Sequence, residues 1–535
     1  MPWRRWVFVL WLIAFVMCPA GIVRADDDDD PDDDDKTEEQ TTIPEPSSAS
    51  KEDQYFELMR VFADTFEQIE RNYVKEVDRR KLVEAALRGM MDELDPYSNY
   101  ISPNDLARFN MQIDQEFHGI GIQVTIDPQS RRLTVTSPLP GTPAYKAGVQ
   151  AGDTIMEING ASTEKMTIDD AVKILRGNGK DGEEVTIGIM RQGKTQVEQL
   201  KMPRAKIQLA TVQGDGYKPD GTWNFMLDSE KKIGYVRLTA FSRTTSSELK
   251  KALSELASQG VKGLILDLRF NPGGLLHIAV EVADFFLEEG KIVSTKGRNT
   301  EERTQYAKKP GTVPGFPMAV LVNRYSASAS EIVSAALQDH KRAVVIGERT
   351  WGKASVQNVI ELEGGKSQLK LTTASYHRPS GKNIHRLPDA KEGDEWGVMP
   401  DDTFAIQFSL PEMQSYLEYR RQRDVLSKEG PPKSEFVDRQ LERATEYLAE
   451  LLTGEKKSDA TAKVEGSKSP SKSPEKSSEK SSEKSSPNKS DSKDNSKSET
   501  KDSKAGKDEA RAVEQLPRGV RARTGRPAAQ PTLAA

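Results

Sequence analysis

Hydrophobic residues recur three or four positions apart in the first part of the chain. Between residues 54 and 91 this spacing predicts two amphipathic helices with a break near residue 72. Pro96 ends the second helix, because a residue that precedes proline is pushed out of the helical region. We therefore expect an N-terminal helical region over residues 51–112. Its apolar faces suit either packing on a core or contact with a second copy of the chain in a homodimer.

Residues 113–203 show a different pattern, in which short apolar runs are separated by glycine, proline and asparagine. This pattern predicts a compact β-rich module with one amphipathic helix over residues 168–175. The predicted strands are 120–126, 133–137, 154–158 and 185–190.

From residue 232 onward, strand-like and helix-like segments alternate. Such alternation predicts a sheet with helices packed on it, so we expect an α/β core over residues 204–410 and a C-terminal helical region over residues 411–453. In order, the predicted core elements are strand 233–238, helix 245–258, strand 263–268, helix 276–287, strand 319–322, a helix after Ser328, and strands 343–346 and 369–375.

The first 25 residues read as a signal peptide. Arg4 and Arg5 precede an apolar run at 6–23, and small residues follow the run. We expect the chain to be exported to the periplasm or cell envelope. The run is also long enough for a short membrane span, so a retained anchor stays open as an alternative. Both interpretations place the rest of the chain on the same side of the membrane.

Composition predicts a linker after the signal segment and a tail at the C-terminal end. Residues 26–50 begin with an aspartate run, which suits a solvated acidic linker better than a calcium site, because calcium loops alternate carboxylates with turn residues. Residues 454–535 are rich in lysine and serine and should be disordered. The net charge of −6 does not favour nucleic acid. The single cysteine, Cys18, lies in the signal segment, so we expect no disulfide in the mature chain.

A serine at the start of a predicted helix is the first candidate for chemistry. Ser328 follows an apolar strand, and with Glu331 it also forms an ordinary helix-capping sequence. At such a turn the next N–H group, that of Ala329, is unpaired and could bind an oxyanion. A second glycine turn supplies Gly274, whose N–H group is the other candidate donor.

Serine needs a base before it becomes a nucleophile. None of the five histidines lies in a motif with Ser328, although His340 is near the end of the same helix and keeps a Ser-His hydrolase open. Lys353, 25 positions after Ser328, is the stronger candidate because burial in an apolar pocket would leave its amine neutral. Gln357 lies on the same face of the following strand, where it can orient that amine.

Three motifs resemble the carboxy-terminal processing, or tail-specific, proteases of peptidase family S41. They are SASASEI, a G-K-x-S-V-Q element at the observed spacing, and LDLRFNPGG. The resemblance covers residues 55–401 and implies a crotonase-like α/β protease core with an inserted PDZ domain. It implies Ser328 as nucleophile, Lys353 as base, Gln357 as orienting group, and Ala329 and Gly274 as oxyanion donors. Trp351 and Ala354 depart from the Phe and Gly that the family commonly has.

The β-rich module resembles a PDZ domain through its block GTPAYKAGVQAGDTIMEING. The family's carboxylate-binding loop would be Gly119-Ile120-Gly121-Ile122, whose N–H groups point at a peptide terminus while the next strand accepts the peptide as an added strand. The implied partners are protein or peptide substrates with free C-termini.

The sequence therefore predicts a serine endopeptidase with a Ser-Lys dyad and no metal or cofactor. A catalytically inactive PDZ scaffold is the alternative from another class. The chain finishes Thr532-Leu533-Ala534-Ala535, a small apolar sequence of the type that the resemblance implies as a ligand. The sequence leaves open a self-interaction of this tail with the PDZ groove, with a chance alanine-rich ending as the alternative.

Overall fold

The computed structural model describes residues 50–299, 301–313, 315–391, 393–426, 430, 433–454 and 533–534. It divides the chain into two units, residues 1–79 and residues 80–535. The predicted signal segment, the acidic linker and most of the predicted tail lie outside the described residues. Among the described helices, none is both long and apolar enough to cross a membrane.

The described part of the first unit is helix α1 (Lys51–Asn72). Ser50 caps it in a capping box with Asp53. No residue of α1 is buried, and all of its large apolar side chains except that of Phe66 are exposed, Phe56 by 68%. The break after Asn72 falls where the spacing predicted it.

The second unit begins with the remainder of helix α2 (Arg79–Leu94), strand β1 (Asn99–Ile101) and helix α3 (Pro103–Asp114). Helix α3 was not predicted separately. It starts with a proline at the first helical position, where the missing N–H costs nothing.

The β-rich module follows, and its main strands fall within two residues of the predicted bounds. Its elements are β2 (Glu116–Gly119), β3 (Ile122–Ile126), β4 (Leu133–Pro138), α4 (Pro143–Lys146), β5 (Thr154–Ile158), β6 (Ala161–Ser162), α5 (Ile168–Arg176), β7 (Glu184–Met190) and β8 (Val197–Pro203). The sheet order is β3-β4-β5-β7-β8. Strand β3 starts later than predicted because Gly121 has a φ of 81°, which breaks the extended run.

The remaining elements form the core. They are β9 (Ala205–Gln208), β10 (Val212–Gln213), β11 (Gly216–Tyr217), β12 (Trp223–Asn224), β13 (Met226–Asp228), β14 (Ile233–Leu238), α6 (Thr245–Ser258), β15 (Gly263–Asp267), α7 (Leu276–Asp284), β16 (Lys291–Gly297), β17 (Arg303–Tyr306), β18 (Met318–Val322), α8 (Ala329–Asp339), β19 (Val344–Gly347), β20 (Ser355–Leu362), a 3-10 turn (Glu363–Gly365), β21 (Ser367–His377), α9 (Leu410–Arg423), α10 (Arg439–Thr453) and β22 (Leu533–Ala534).

The central sheet has the order β10-β14-β15-β18-β19, and its last four strands are parallel. Every residue of β14, β15 and β18 is buried, as expected for parallel strands covered on both faces. A second sheet runs β1-β21-β16-β17, with β20 paired to β21. Strand β22 pairs antiparallel with β3, with Leu533 opposite Val124.

Candidate active site

Three loops meet where adjacent parallel strands end. Strand β15 leads to Gly274, β18 leads to Ser328, and β19 leads to Lys353. In open α/β sheets, ligands bind at this carboxyl edge. All three residues line one cavity of about 400 Å³. The parallel register thus brings together residues that are distant in sequence.

Ser328 has an unusual backbone conformation. Its φ of 57° and ψ of −112° lie outside the regions that a residue with a side chain normally adopts. Such strain costs about 1–3 kcal/mol and persists only where neighbours enforce it. The Ser328 N–H group donates to the Glu331 carboxylate at 2.7 Å. The Glu331 N–H group bonds to the Ser328 carbonyl at 2.9 Å, so the serine hydroxyl is not needed as a helix cap.

The N–H groups of Ala329 and Gly274, the two predicted oxyanion donors, both belong to residues that line the cavity with Ser328. Ala329 is the first residue of α8, and Gly274 lies across the cavity with a φ of 150°. Within the described ranges, neither N–H group has a hydrogen-bond partner. A side chain at Gly274 would put its Cβ 2.2 Å from the Phe241 carbonyl oxygen, so only glycine fits this approach.

Lys353 presents a buried amine to the same cavity. Its Nζ atom donates to Gln357 Oε1 at 2.8 Å. Burial, followed by the nearby charge of Lys370, lowers the pKa of the Lys353 amine to about 8. No hydrogen bond joins Lys353 Nζ to Ser328 Oγ in the described part of the chain. Such contacts often tighten only when substrate is bound.

Glu331 was recognised in the sequence only as part of a capping box. In the structure it is fully buried, and its carboxylate accepts from Ser328, Gly352 and Lys353 N–H groups and from the Thr350 hydroxyl. Burial raises the pKa of Glu331 to about 7, against the opposing effect of these four donors. The carboxylate therefore fixes the serine turn and the lysine loop relative to each other.

The position of His340 does not suit the Ser-His hydrolase that the sequence left open as an alternative. His340 ends α8, while Ser328 begins it, so roughly 18 Å of helix separates them. The His340 ring bonds to the Lys291 carbonyl at 2.8 Å. The geometry is therefore wrong for His340 as the base of Ser328. His385 is nearer, because its Nδ1 accepts from the Ala354 N–H group at 3.3 Å, and burial lowers its pKa.

A buried ion cluster holds the loop that carries Gly274. Arg269 bonds to Asp267 and Asp438 at 2.7 and 2.9 Å, and all three side chains are at most 5% exposed. Asp438 caps α10, so the cluster joins the end of β15 to the last core helix. Removing one partner from such a buried pair leaves an uncompensated charge, which costs about 3–5 kcal/mol. This cluster therefore makes the loop before Gly274 rigid.

The proposed carboxylate loop runs from the end of β2 into β3. Gly119 ends β2 and Ile122 begins β3, with Ile120 fully buried between them. Thr142 donates its hydroxyl to the Gly121 carbonyl at 3.1 Å, and a Cβ on Gly121 would clash with the Thr142 side chain. The contact with Thr142, which caps α4, thus holds the loop in place. Elsewhere in the described ranges, no three His, Cys, Asp or Glu side chains are arranged to hold a metal ion.

Comparisons with known proteins agree with this architecture. The model of peptidase family S41 matches residues 232–402, that of the PDZ domain matches 109–190, and that of the activating protease CtpB N-terminal domain matches 28–104. They confirm the predicted α/β protease core with its PDZ domain.

Several similar proteins are named as carboxy-terminal processing proteases. A carboxy-terminal-processing protease of Bartonella bacilliformis is 39% identical over 368 residues, which cover 68% of this chain and 78% of the relative. The carboxy-terminal processing protease CtpA of Bacillus subtilis is 36% identical over 341 residues, which cover 63% of this chain and 68% of the relative. A solved photosystem II D1 C-terminal processing protease is 29% identical, with a TM-score of 0.36 over 65% of this chain and 92% of that chain. The chain belongs to the carboxy-terminal processing proteases of peptidase family S41.

Proposed function

We propose that this protein is an exported serine endopeptidase that captures the C-terminal region of protein substrates with its PDZ domain and cleaves them with a Ser328-Lys353 dyad. The observation that carries the proposal is the shared cavity, in which a strained serine, a buried amine of lowered pKa and two unpartnered N–H groups converge. Acyl transfer by serine needs a base near the hydroxyl and donors for the oxyanion, and this cavity contains candidates for both.

In this mechanism Ser328 Oγ attacks the carbonyl carbon of the scissile peptide bond while Lys353 Nζ takes the hydroxyl proton. The N–H groups of Ala329 and Gly274 bind the oxyanion that develops. When the C–N bond breaks, Lys353 gives its proton to the leaving amine, and an ester to Ser328 remains. Water then attacks the ester, Lys353 takes one of its protons, and release of the acid returns that proton to Ser328. Gln357 keeps the amine oriented throughout.

The PDZ domain supplies selection in this proposal. A substrate's C-terminal carboxylate would bind the N–H groups of Gly119-Ile120-Gly121-Ile122, and the residues before it would pair with β3. The buried side chain of Ile120 and the Thr142 contact keep the loop shaped before substrate arrives. Preorganisation of this kind reduces the cost of binding.

The proposal also covers location and assembly. The apolar run at residues 6–23 supports export, with retention as a membrane anchor as its variant. The exposed apolar side chains of α1 support a homodimer in which a second copy covers them.

A substrate with a free C-terminus is expected to be cleaved faster than the same substrate with an amidated end. We expect at least about a tenfold difference in kcat/KM, because hydrogen bonds to a charged group contribute about 1.5–3 kcal/mol. The measurement uses an unfolded polypeptide with small apolar C-terminal residues, in free and amidated forms. The Ser328→Ala variant is the blank. In parallel, a fluorophosphonate should label the wild type and not Ser328→Ala. If neither cleavage nor labelling exceeds the blank, the protein is a PDZ scaffold rather than a peptidase.

We further propose that the tail is a ligand of its own PDZ domain. The pairing of Leu533–Ala534 with β3 supports this, because an added antiparallel strand is the way PDZ domains bind peptides. A chain that lacks residues 455–535 should bind a labelled peptide ending in Thr-Leu-Ala-Ala several times more tightly than the full chain, since no tail competes. Both chains carry Ser328→Ala so that the peptide survives. Equal affinities would argue against self-interaction. Identical intact C-termini in wild type and Ser328→Ala would argue separately against self-trimming.

A further inference from the structure

The turn that follows α2 lies against the proposed catalytic amine. The ring centroid of Tyr97 is 4.7 Å from Lys353 Nζ, with the amine over the ring face. Gln357 Oε1 accepts from the same amine at 2.8 Å. Lys353 is therefore held by two groups, and one of them comes from a segment more than 200 residues earlier in the chain.

This turn is built to be rigid. The Asp95 carboxylate accepts from the Tyr97 N–H group at 2.7 Å, the Ser98 N–H group at 2.8 Å and the Ser98 hydroxyl at 2.8 Å. An aspartate that bonds the backbone two and three residues ahead fixes the turn locally. The backbone position from which the Tyr97 ring projects is thus fixed.

The turn is also attached to the strand that supports the base. Ser98 Oγ accepts from the Thr372 N–H group at 3.0 Å, and β1 pairs with β21 directly afterwards. The Thr372 hydroxyl in turn accepts from Gln357 Nε2 at 3.2 Å. One continuous set of hydrogen bonds therefore links the turn, Thr372 and Gln357 to the lysine amine.

We propose that Tyr97 is a positioning residue for the lysine base, holding the Lys353 amine between its ring and Gln357. The inference rests on the proposed function, since it assigns a role in the same reaction. The negative face of an aromatic ring attracts an ammonium group, most strongly where water is excluded. Tyr97 would therefore stabilise Lys353 after it has taken the serine proton and would return the amine to one place in every cycle.

Other charged groups act on the same amine. Lys370 on β21 lowers the pKa of Lys353, while Glu331 on α8 and Asp95 in the turn raise it. His385 also interacts with it. None of these groups is changed by a substitution at Tyr97, so an effect of that substitution on the pH profile would report the ring itself.

The test compares Tyr97→Phe, which keeps the ring, with Tyr97→Leu, which removes it and keeps apolar bulk. Tyr306→Leu, on the exposed strand β17, is the matched control. Each is assayed for kcat and KM from pH 6 to 10. We expect Tyr97→Phe and the control to stay within about threefold of wild type. Tyr97→Leu should lose about tenfold or more in kcat with KM little changed, and its acid limb should move to lower pH by about half a unit or more.

The acid limb of the pH profile should move to lower pH because the ring face attracts the ammonium form of Lys353. Removing a group that favours the ammonium lowers the pKa of the lysine, so the neutral base persists at lower pH. A Tyr97→Leu variant with wild-type kcat, or with reduced kcat and an unmoved acid limb, would overturn the inference. An inactive wild type would overturn the proposed function first and this role with it. If Tyr97→Leu does not fold, Tyr97→Met replaces it, since it also removes the ring and keeps apolar bulk. The same direction of shift is then expected, and an unmoved limb counts against the proposal.

Discussion

Replacing Lys353 with alanine is expected to lower kcat for peptide cleavage by about 10³-fold or more and to leave the protein folded. Loss of a general base alone costs about 10²–10⁴-fold, and here the same amine would also protonate the leaving group. The side chain is partly buried, and in the described part of the chain its amine forms a hydrogen bond to Gln357 but no salt bridge, so its removal leaves no carboxylate without a partner. Peptide binding by the PDZ domain should be unchanged, because Lys353 lies outside that module.

The measurement is kcat and KM on one peptide for Lys353→Ala, His340→Ala and Lys382→Ala. His340→Ala removes the histidine at the far end of α8, and Lys382→Ala removes an exposed lysine paired with Glu395. Both should keep nearly full activity. Full activity in Lys353→Ala, or a matching loss in His340→Ala, would be incompatible with the dyad.

The same base sets the expected pH dependence of the wild-type enzyme. The pKa of the Lys353 amine is lowered to about 8, so the neutral form increases as pH rises through that value. Accordingly kcat/KM should rise with pH across this window, and Lys353→Ala should lose that limb along with its activity.

Replacing Gly274 with alanine is expected to lower kcat by about 10²–10³-fold with a smaller effect on KM. That is the usual cost of losing one oxyanion donor. A Cβ at this position would approach the Phe241 carbonyl oxygen to 2.2 Å, so the backbone must shift and carry its N–H group away from Ser328. The position also has a φ of 150°, which a residue with a side chain rarely adopts.

Gly260→Ala provides the matched control. Gly260 also has a positive φ, at 73°, but a Cβ there would meet no atom within 4 Å. Gly260→Ala should lose about 1–2 kcal/mol of stability through backbone strain. Gly274→Ala should lose more stability because of the clash with Phe241, and it alone should lose catalysis. Thermal unfolding and kinetics on both variants separate the two effects. Equal kcat in the two would mean that the Gly274 N–H group does not bind the oxyanion.

The fold was predictable because its periodic patterns are strong. Helix α6 was predicted with its observed bounds, and the four parallel strands of the central sheet were predicted to within one or two residues, whereas the short strands β10 and β13 of the same sheet were not predicted. Continuous apolar runs such as β18 mark parallel strands that are buried on both faces. Helix α3 was not separated from its surroundings because it is short and largely polar.

The candidate residues that carry motifs were found, whereas those that support them were not. Ser328, Lys353 and Gln357 lie in recognisable sequences with a fixed spacing. Glu331 also lies in such a sequence, but its bonds to the loop that holds Lys353 depend on how β18 and β19 are arranged in the folded sheet. No sequence motif links Tyr97 with the candidate site, because its contact with Lys353 exists only once the turn after α2 has bonded to Thr372.

The ion cluster around Arg269 determines how much of the C-terminal part of this chain can be removed before the core loses stability. Among the described residues, the hydrogen-bond partners of the Arg269 side chain are Asp267, Asp438 and Gln440, all of which precede residue 454, so we expect the chain beyond residue 454 to be dispensable for this cluster. Asp438 and the helix that it caps are different, because a cut that removed them would strip Arg269 of a buried partner. We therefore expect a chain that retains α10 to keep its activity after its tail is shortened, whereas a chain cut before α10 should lose it.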